Sequence, residues 1–232
     1  MSAFDFFEFR KISRNDPLIS EVYKLRYKVY CDEWGFEKPE DHPGGIEKDD
    51  FDQYSVHMVA LTKDRKELIG TMRLILASEL GFPLEGHCKI TTDLSAIPRE
   101  RIGEISRLAI SKDYRKRAGD RLIYDRGESE EHAFKRSDTA EKRLCEYAII
   151  SGLYTCMYKE SVSLGLTHWF AVMAKGLSIL LNRLSVTFTP IGPEVYYHGV
   201  RTPYIGQIDE IVSTVTRENP EFFRSYLSGS NC

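Results

Sequence analysis

Apolar and polar residues alternate along the first half of the chain in patterns that predict β-strands. Residues 7–12 alternate well enough for a first strand. Residues 55–61 and 67–76 are two apolar runs on either side of a short charged turn, which predicts an antiparallel hairpin. Residues 102–110 predict the next strand. The pattern therefore indicates a run of antiparallel strands.

A helix and a long loop separate the first strand from the hairpin. The Asn-Asp-Pro sequence at residues 15–17 is a helix start signal, because proline is favoured in the first turn of a helix. Residues 31–54 contain Pro39, Pro43, a Gly-Gly pair and many acids, and they read as a loop. A loop of this length in a compact domain is usually functional or disordered.

The second half of the chain returns to alternating helices and strands. We predict a helix at residues 144–156, strands at 169–173 and 186–189 with a helix between them, and a last helix at about 208–226. Residues 112–143 are dominated by charges of both signs, and we expect a flexible insertion there. The order of elements predicts an α/β (α+β) fold, a mixed central sheet with helices on both faces, in a single domain over residues 1–232.

Composition narrows the class of protein. Apolar residues make up 42% of the chain and charged residues 29%, as in an ordinary globular protein. The formal net charge of −3 argues against a general nucleic-acid binder. The odd number of scattered cysteines favours a reduced, cytoplasmic setting, and the histidines show no metal-ligand spacing. No run is apolar and long enough to span a bilayer, and we see no signal peptide.

Two charges interrupt the predicted strand at residues 102–110. Side chains three apart, such as Glu104 and Arg107, point to opposite faces of a regular strand. A β-bulge would bring both to one face and leave a backbone N–H free to stabilise an oxyanion. A buried ion pair without chemistry is the alternative, and these two residues alone favour it.

A basic turn follows this strand and adds a second signal. Residues 114–119 read Y-R-K-R-A-G, and a helix that begins there would hold a phosphate with its open N–H groups and arginines. A short basic loop is more often only a solvated turn. Next to a strand that carries Glu104, it suggests a ligand with a phosphate near a reacting carbonyl, which is the layout of a phosphopantetheine thioester.

Four short motifs occur in order along the chain: Arg26 with Tyr30, the acidic pair Asp49 and Asp52, Arg73 in G-T-M-R-L-I, and E-I-S-R at residues 104–107. In this order and with similar gaps, they resemble the motif series of acyl-homoserine-lactone synthases. Over its full length the chain is similar to relatives of those enzymes, the N-acyl amino acid synthases and the PEP-CTERM/exosortase-associated acyltransferases. The late H-G-V-R-T-P-Y at residues 198–204 supports that similarity. One departure is that the family's tryptophan would fall at Phe36, whereas Trp34 stands two residues earlier.

The resemblance implies a GNAT-type N-acyltransferase fold and a set of site residues. It implies an N-terminal wall that closes over the substrates, formed by Arg26, Tyr30, Trp34 and Phe36. It also implies a polar catalytic network of Asp49, Asp52, Arg73, Glu104 and Arg107. The acyl group would come from acyl carrier protein (or acyl-CoA) as a phosphopantetheine thioester co-substrate, with no tightly bound cofactor and no metal.

The residues also suggest how such an enzyme would work. Burial would raise the pKa of Glu104 until it can serve as the base for an amine substrate. Backbone N–H groups near Leu108, Ala109 and Ile110 would stabilise the oxyanion. We expect the phosphopantetheine and an acidic carrier protein to contact a basic cluster, Arg115, Lys116, Arg117, Gly119 and Arg121.

Three functions remain open at this stage. The favoured one is transfer of a long acyl chain to the amine of an amino-acid-like acceptor. The second is an acyl-homoserine-lactone synthase that uses S-adenosylmethionine, and the third is a module that binds an acyl thioester without turnover. A stripe of small and apolar residues could line an acyl tunnel, although an ordinary core face is the more frequent reason for such a stripe: Ala148, Ile149, Gly152, Leu153 and Cys156.

Overall fold

A computed structural model describes residues 6–114, 139–222 and 224. Most of the predicted insertion at residues 112–143 lies outside these residues. The predicted first strand, first helix and hairpin are confirmed, and so is the strand predicted at residues 102–110. In the first half of the chain the elements are β1 (Phe7–Ile12), α1 (Ile19–Tyr27), β2 (Ser55–Thr62), β3 (Leu68–Leu76), α2 (Pro83–His87) and β4 (Ile102–Ile110).

The second half supplies the longest helix and the remaining strands. The predicted helices before and after the strand at residues 169–173 are confirmed, and so is that strand. The elements are α3 (Thr139–Ser163), β5 (His168–Met173), α4 (Lys175–Arg183), β6 (Thr189–Pro190), β7 (Val195–Tyr196), β8 (Val200–Gln207), α5 (Ile208–Glu218) and α6 (Pro220–Phe222). No helix in the described part of the chain is long and apolar enough to cross a membrane.

The strands form one mixed sheet in the order β1-β2-β3-β4-β5-β8-β6, with β7 paired to β8. β4 and β5 are parallel, and all the other pairs are antiparallel. The β4–β5 ladder begins at Ile102 with His168 and ends at Ile105 with Ala171. Beyond these residues, the two strands continue without a ladder between them in the described structure. The sheet therefore opens into a gap at its centre.

Helices cover both faces of the sheet, which confirms the predicted fold class. On one face, Leu153 of α3, Leu177 of α4 and Ile211 of α5 pack in a core that includes Ile105 and Ala171 of the sheet. We call this the α3 face. Successive side chains of a strand point to alternate faces of the sheet. Glu104 directly precedes Ile105, and Phe170 directly precedes Ala171, so both lie on the opposite face.

The opposite face has smaller cores. Phe170 packs there with Phe82, and their rings meet edge to face at a centroid distance of 5.5 Å. Leu84 of α2 belongs to the same core. Val22 of α1 packs farther along this face against Val59 of β2. The helices α1 and α2 therefore lie across the sheet from α3.

Two predictions near the C-terminal end were wrong. No strand begins at residue 186, because the chain is still completing the end of α4: the Val186 N–H donates to the Leu181 carbonyl at 3.0 Å, and Ser185 has a φ of 61°. The last helix ends at Glu218 rather than continuing, since Pro220 cannot donate to a continued helix. The sequence pattern also failed to predict β8, because a proline such as Pro203 within an apolar run argues against a strand.

The small and apolar stripe of α3 is a core face. Ile149 and Leu153 are fully buried, and Cys156 is nearly so. Gly152 allows a close approach between α3 and β1, because a Cβ at this position would lie 2.3 Å from the Phe9 ring. The glycine therefore sets the distance between the helix and the sheet.

We predict that Gly152→Ala destabilises the protein. The added methyl group would clash with a buried ring, and such overpacking costs about 1–3 kcal/mol, partly offset by the better helix propensity of alanine. Gly86→Ala in α2 is the matched control, since a Cβ there meets nothing within 4 Å. Urea unfolding of both variants measures the difference. Equal stability of the two variants would show that α3 does not rest on Phe9.

Candidate active site

A β-bulge in β4 allows both predicted charges to line the same cavity. Thr71 pairs with Ala109 and Arg73 pairs with Ser106, so two steps along β3 match three steps along β4. The extra residue is in the segment of Arg107, whose φ of 53° is uncommon for a residue other than glycine. The predicted bulge is confirmed, and both Glu104 and Arg107 line one cavity.

This cavity has a volume of about 500 Å³ and lies at the gap between β4 and β5. On the side of α2, its lining is polar and includes Asp49, Arg73 and Glu104. On the α3 face, its lining is mainly apolar and includes Ala171 and Leu177. A ligand that fills the cavity would therefore meet charges at one end and apolar side chains at the other.

Buried arginines and carboxylates beside the cavity form a continuous chain of ion pairs. Arg26 is fully buried, and it donates to Glu47 at 2.5 Å and to Asp52 at 2.6 Å. Arg73 donates to Asp52 at 2.9 Å and to Asp49 at 2.6 and 3.0 Å. Buried charges are tolerated only when they compensate one another in this way.

Arg107 closes the chain of ion pairs from the bulge. Its guanidinium donates to Glu47 at 3.0 Å and to Asp49 and Glu37 at 3.3 Å each. Burial alone would raise the pKa of Glu47, but Arg107, Arg26 and Arg73 outweigh it and lower that pKa to about 2. Glu47 therefore remains ionised at any physiological pH. We call this set the ion-pair network: Arg26, Glu37, Glu47, Asp49, Asp52, Arg73 and Arg107.

A short 3-10 turn, Asp50–Tyr54, positions two acids of the network, Asp52 and the residue before the turn, Asp49. The Phe51 N–H donates to the Asp49 carboxylate at 3.0 Å, and the Asp49 N–H donates to Asp52 at 2.8 Å. These reciprocal bonds form a capping box that fixes both side chains. Burial and the nearby Arg26 lower the pKa of His57 to about 4, so this buried neighbour of Asp52 is neutral at pH 7.

Glu104 is the one predicted network member that stands apart. Its side chain is 3% exposed, and its carboxylate accepts the Leu84 N–H at 3.0 Å. Burial raises the pKa of Glu104 to about 7, although the Leu84 N–H, Arg73 and Arg107 act to lower it. The predicted rise in this pKa is confirmed. A carboxyl group of this kind can exchange a proton near neutral pH.

The predicted N-terminal wall lies along the cavity. Tyr30 lines it and donates its hydroxyl to the Leu108 carbonyl at 2.8 Å. Phe36 also lines it, and Trp34 stacks behind Phe36 at a ring distance of 6.0 Å and an angle of 16°. Gly35, with a φ of 58°, makes the reversal between these two rings possible. Phe36 therefore has the lining position, and Trp34 supports it.

The other predicted site residues lie at varied depths. Arg26 and Asp52 are buried in the network, behind the cavity lining. Leu108 lines the cavity, whereas Ala109 and Ile110 are fully buried in the core and pair with β3. The predicted basic cluster lies outside the described residues: Arg115, Lys116, Arg117, Gly119 and Arg121.

The turn before β8 contributes residues that the sequence reasoning did not assign to the site. Tyr197 stacks on His87 of α2 at a ring distance of 4.1 Å, and both line the cavity. His198 approaches Glu37 at 3.5 Å, and Arg201 lies over the Phe36 ring at 5.5 Å. The H-G-V-R-T-P-Y motif includes His198 and Arg201 and directly follows Tyr197, so it could have pointed to this turn, where His198 and the next glycine have positive φ.

Comparisons with known proteins agree with this fold. Residues 25–125, less than half of the chain, match the family described as "Acetyltransferase (GNAT) domain". A comparison with curated protein sequences found no match. TofI, solved in a ternary complex with an inhibitor and MTA, has a TM-score of 0.61 at 15% identity, covering 94% of this chain and 99% of its own.

Two further solved structures are informative. BjaI is described as a CoA-dependent acyl-homoserine lactone synthase with SAM and isopentyl-CoA; it has a TM-score of 0.58 at 18% identity, covering 93% of this chain and 89% of its own. FeeM is described as an N-acyl amino acid synthase from uncultured soil microbes; it has a TM-score of 0.54 at 13% identity, covering 89% and 95%. At these identities the likeness shows the fold. The chain thus has a GNAT-like fold.

We predict that Glu104→Gln stabilises the protein at high pH. The folded protein holds the Glu104 proton up to about pH 7, whereas the unfolded chain releases it near its ordinary pKa of 4.5. This group therefore destabilises the folded state as pH rises between these values, by on the order of 3 kcal/mol in total. Glutamine remains neutral and keeps an oxygen for the Leu84 N–H.

Urea unfolding at about pH 5 and about pH 8.5 tests this sign. The variant and the wild type should be about equally stable at the lower pH, and the variant should be more stable at the higher pH. Glu100→Gln, on an exposed turn, is the control and should show no such difference. A wild-type protein that gains stability relative to Glu104→Gln on going to high pH would contradict the shifted pKa.

Proposed function

We propose that the protein is an N-acyltransferase that moves an acyl group from a thioester to the amine of an amino-acid-like acceptor. The observation that carries this proposal is the position of Glu104. Its carboxylate lines the cavity at the sheet gap, has a pKa of about 7, and accepts its hydrogen bond from Leu84 rather than from an arginine of the ion-pair network. It therefore remains available for proton transfer.

The reaction follows from this arrangement. Glu104 takes a proton from the acceptor ammonium, and the neutral nitrogen attacks the thioester carbonyl. A C–N bond forms, and the charge on the carbonyl oxygen is stabilised by backbone N–H groups of the bulge near Leu108. As the tetrahedral intermediate collapses, the C–S bond breaks, the nitrogen loses its second proton to leave a neutral amide, and the departing thiolate takes up that proton. No serine or cysteine nucleophile takes part.

The ion-pair network has a supporting role in this proposal. Arg107 connects the bulge of β4 with the wall, through Glu37, and with the buried Glu47. Its guanidinium also lies over the Tyr30 ring at 5.6 Å. We propose that these contacts hold the wall against the sheet so that the cavity keeps its shape when substrates bind. Asp49 and Arg73 line the cavity beside them and would set the field around the acceptor amine.

The donor is proposed to be an acyl-phosphopantetheine thioester, presented by acyl carrier protein or by CoA. The apolar lining on the α3 face suits an acyl chain. The basic cluster at residues 115–121 remains our predicted contact for the carrier phosphate. BjaI is described as CoA-dependent, so we retain both acyl carrier protein and CoA as candidate carriers of the acyl group. We further propose that the enzyme acts in the cytoplasm. That it is related to exosortase-associated acyltransferases remains a prediction.

A second candidate function is an acyl-homoserine-lactone synthase that uses S-adenosylmethionine. The similarity in fold to TofI, which was solved with MTA, and to BjaI, which was solved with SAM, favours this function. The similarity in fold to FeeM, which is described as an N-acyl amino acid synthase, favours an amino acid acceptor instead. The third function, binding of an acyl thioester without turnover, is opposed by the intact pairing of Asp49, Arg73 and Arg107 around the cavity.

Lipid profiling separates these functions. The chain is expressed in a bacterium, and lipid extracts are analysed by mass spectrometry. We expect N-acyl amino acids with the wild type; homoserine lactones would instead support the second function. An unchanged profile together with acyl thioester bound to the purified protein would contradict both enzymatic functions.

Glu104→Gln extends this test to the mechanism. In purified enzyme it should lower kcat by about 10²- to 10⁴-fold, as is typical when a general base is lost. The wild-type kcat/KM should rise with pH through a pKa near 7. Glu85→Gln is the control, because this α2 neighbour pairs with Arg99. A near-normal turnover in Glu104→Gln would remove Glu104 from the role of base.

A further inference from the structure

Arg201 is a cationic residue of the cavity lining that the proposed reaction does not use. It lies near the start of β8, is 8% exposed and lines the cavity. Ile205 of the same strand packs against the core of Phe82 and Phe170. Since side chains of a strand alternate and Arg201 is four residues from Ile205, both point to that face of the sheet. Glu104 belongs to the same face.

Two contacts fix the guanidinium of Arg201. Its Nη2 donates to the His198 carbonyl at 2.8 Å, and its Cζ lies 5.5 Å from the centre of the Phe36 ring, which lines the same cavity. Burial lowers the pKa of His198, so at neutral pH Arg201 supplies the positive charge of this turn. An arginine presents its N–H donors in a rigid plane, and a guanidinium fixed in this way is suited to bind a carboxylate.

The other two arginines of the described lining are engaged by acids. Arg73 and Arg107 each donate to two or more carboxylates of the ion-pair network. That network holds four acids and three arginines, so its net charge is negative, and it attracts an ammonium group and repels a carboxylate. A carboxylate on a ligand would therefore bind away from the network. Arg201 is the arginine of the described lining that lies outside it.

We propose that Arg201 binds the carboxylate of the acceptor, and that the protein therefore acylates amines that carry a carboxylate in preference to amines without one. This inference rests on the proposed function, because it takes the cavity to hold an acceptor amine beside Glu104. The ammonium group would face Glu104 and Asp49, and the carboxylate would face Arg201. Arg201 is then a specificity-determining residue: it orients the acceptor and takes no part in proton transfer. S-adenosylmethionine carries the same two groups, so the inference does not depend on which acceptor is used.

Binding of product-like probes tests this proposal without the need for turnover. Dissociation constants are measured by calorimetry at neutral pH for two probes of equal length, N-octanoylglycine and the uncharged N-octanoylglycinamide. We expect the wild type to bind the carboxylate probe roughly 10- to 100-fold more tightly, as is typical of hydrogen bonds to a charged group. Arg201→Gln should remove this preference. Arg201→Lys keeps the charge without the planar donor group and should keep only part of it.

The control is Arg101→Gln, because Arg101 also donates to a backbone carbonyl, that of Gly165, but lies outside the described lining. It should leave the preference intact. An equal preference in the wild type and Arg201→Gln would overturn the proposal, and so would a wild type that binds both probes alike or binds neither. If Arg201→Gln does not fold, an undiminished preference in Arg201→Lys would overturn it as well.

The outcomes also separate this inference from the proposed function. A carboxylate preference that depends on Arg201, without any acylated product in the lipid profile, would support this inference and contradict the proposed reaction. Acylated products together with equal binding of the two probes would contradict this inference alone.

Discussion

The structure depends on the compensation of buried charges where the N-terminal segment packs against the sheet. Arg26, Arg73 and Arg107 come from α1, β3 and β4, and their acids come from the loop before β2. No one of these groups would be tolerated there alone, because an unpaired buried charge costs several kcal/mol. The network therefore fixes a long loop, which would otherwise be free, as one wall of the cavity.

The bulge at Arg107 allows the network and the cavity to share one strand. A regular β4 would point Glu104 and Arg107 to opposite faces. With one extra residue, Arg107 reaches the loop acids while Glu104 stays beside the gap. The two charges then have different tasks. Arg107 is ionised and held by several carboxylates, whereas the environment of Glu104 leaves its proton exchangeable near pH 7.

The sequence was most informative where local pattern and tertiary structure agree. Alternation predicted the β2–β3 hairpin and β4, and the spacing of Glu104 and Arg107 raised the bulge as a hypothesis that the structure confirms. It failed at β8, where Pro203 and the glycine after His198 resemble loop residues although neighbouring strands supply the pairing. Glu37 and Glu47 were also missed, since acids in a polar loop give no sign that one of them will be fully buried against Arg26.

In the proposed reaction, Glu104 receives the proton of the acceptor amine inside the cavity. A crystal structure with an unreactive thioester analogue and the acceptor amine tests it most directly. If Glu104 is the base, the amine nitrogen lies about 2.6–3.2 Å from a Glu104 oxygen, directly or through one water, with the acyl chain in the gap between β4 and β5. An amine bound elsewhere, with the Glu104 carboxylate closed off from the ligand, would contradict it.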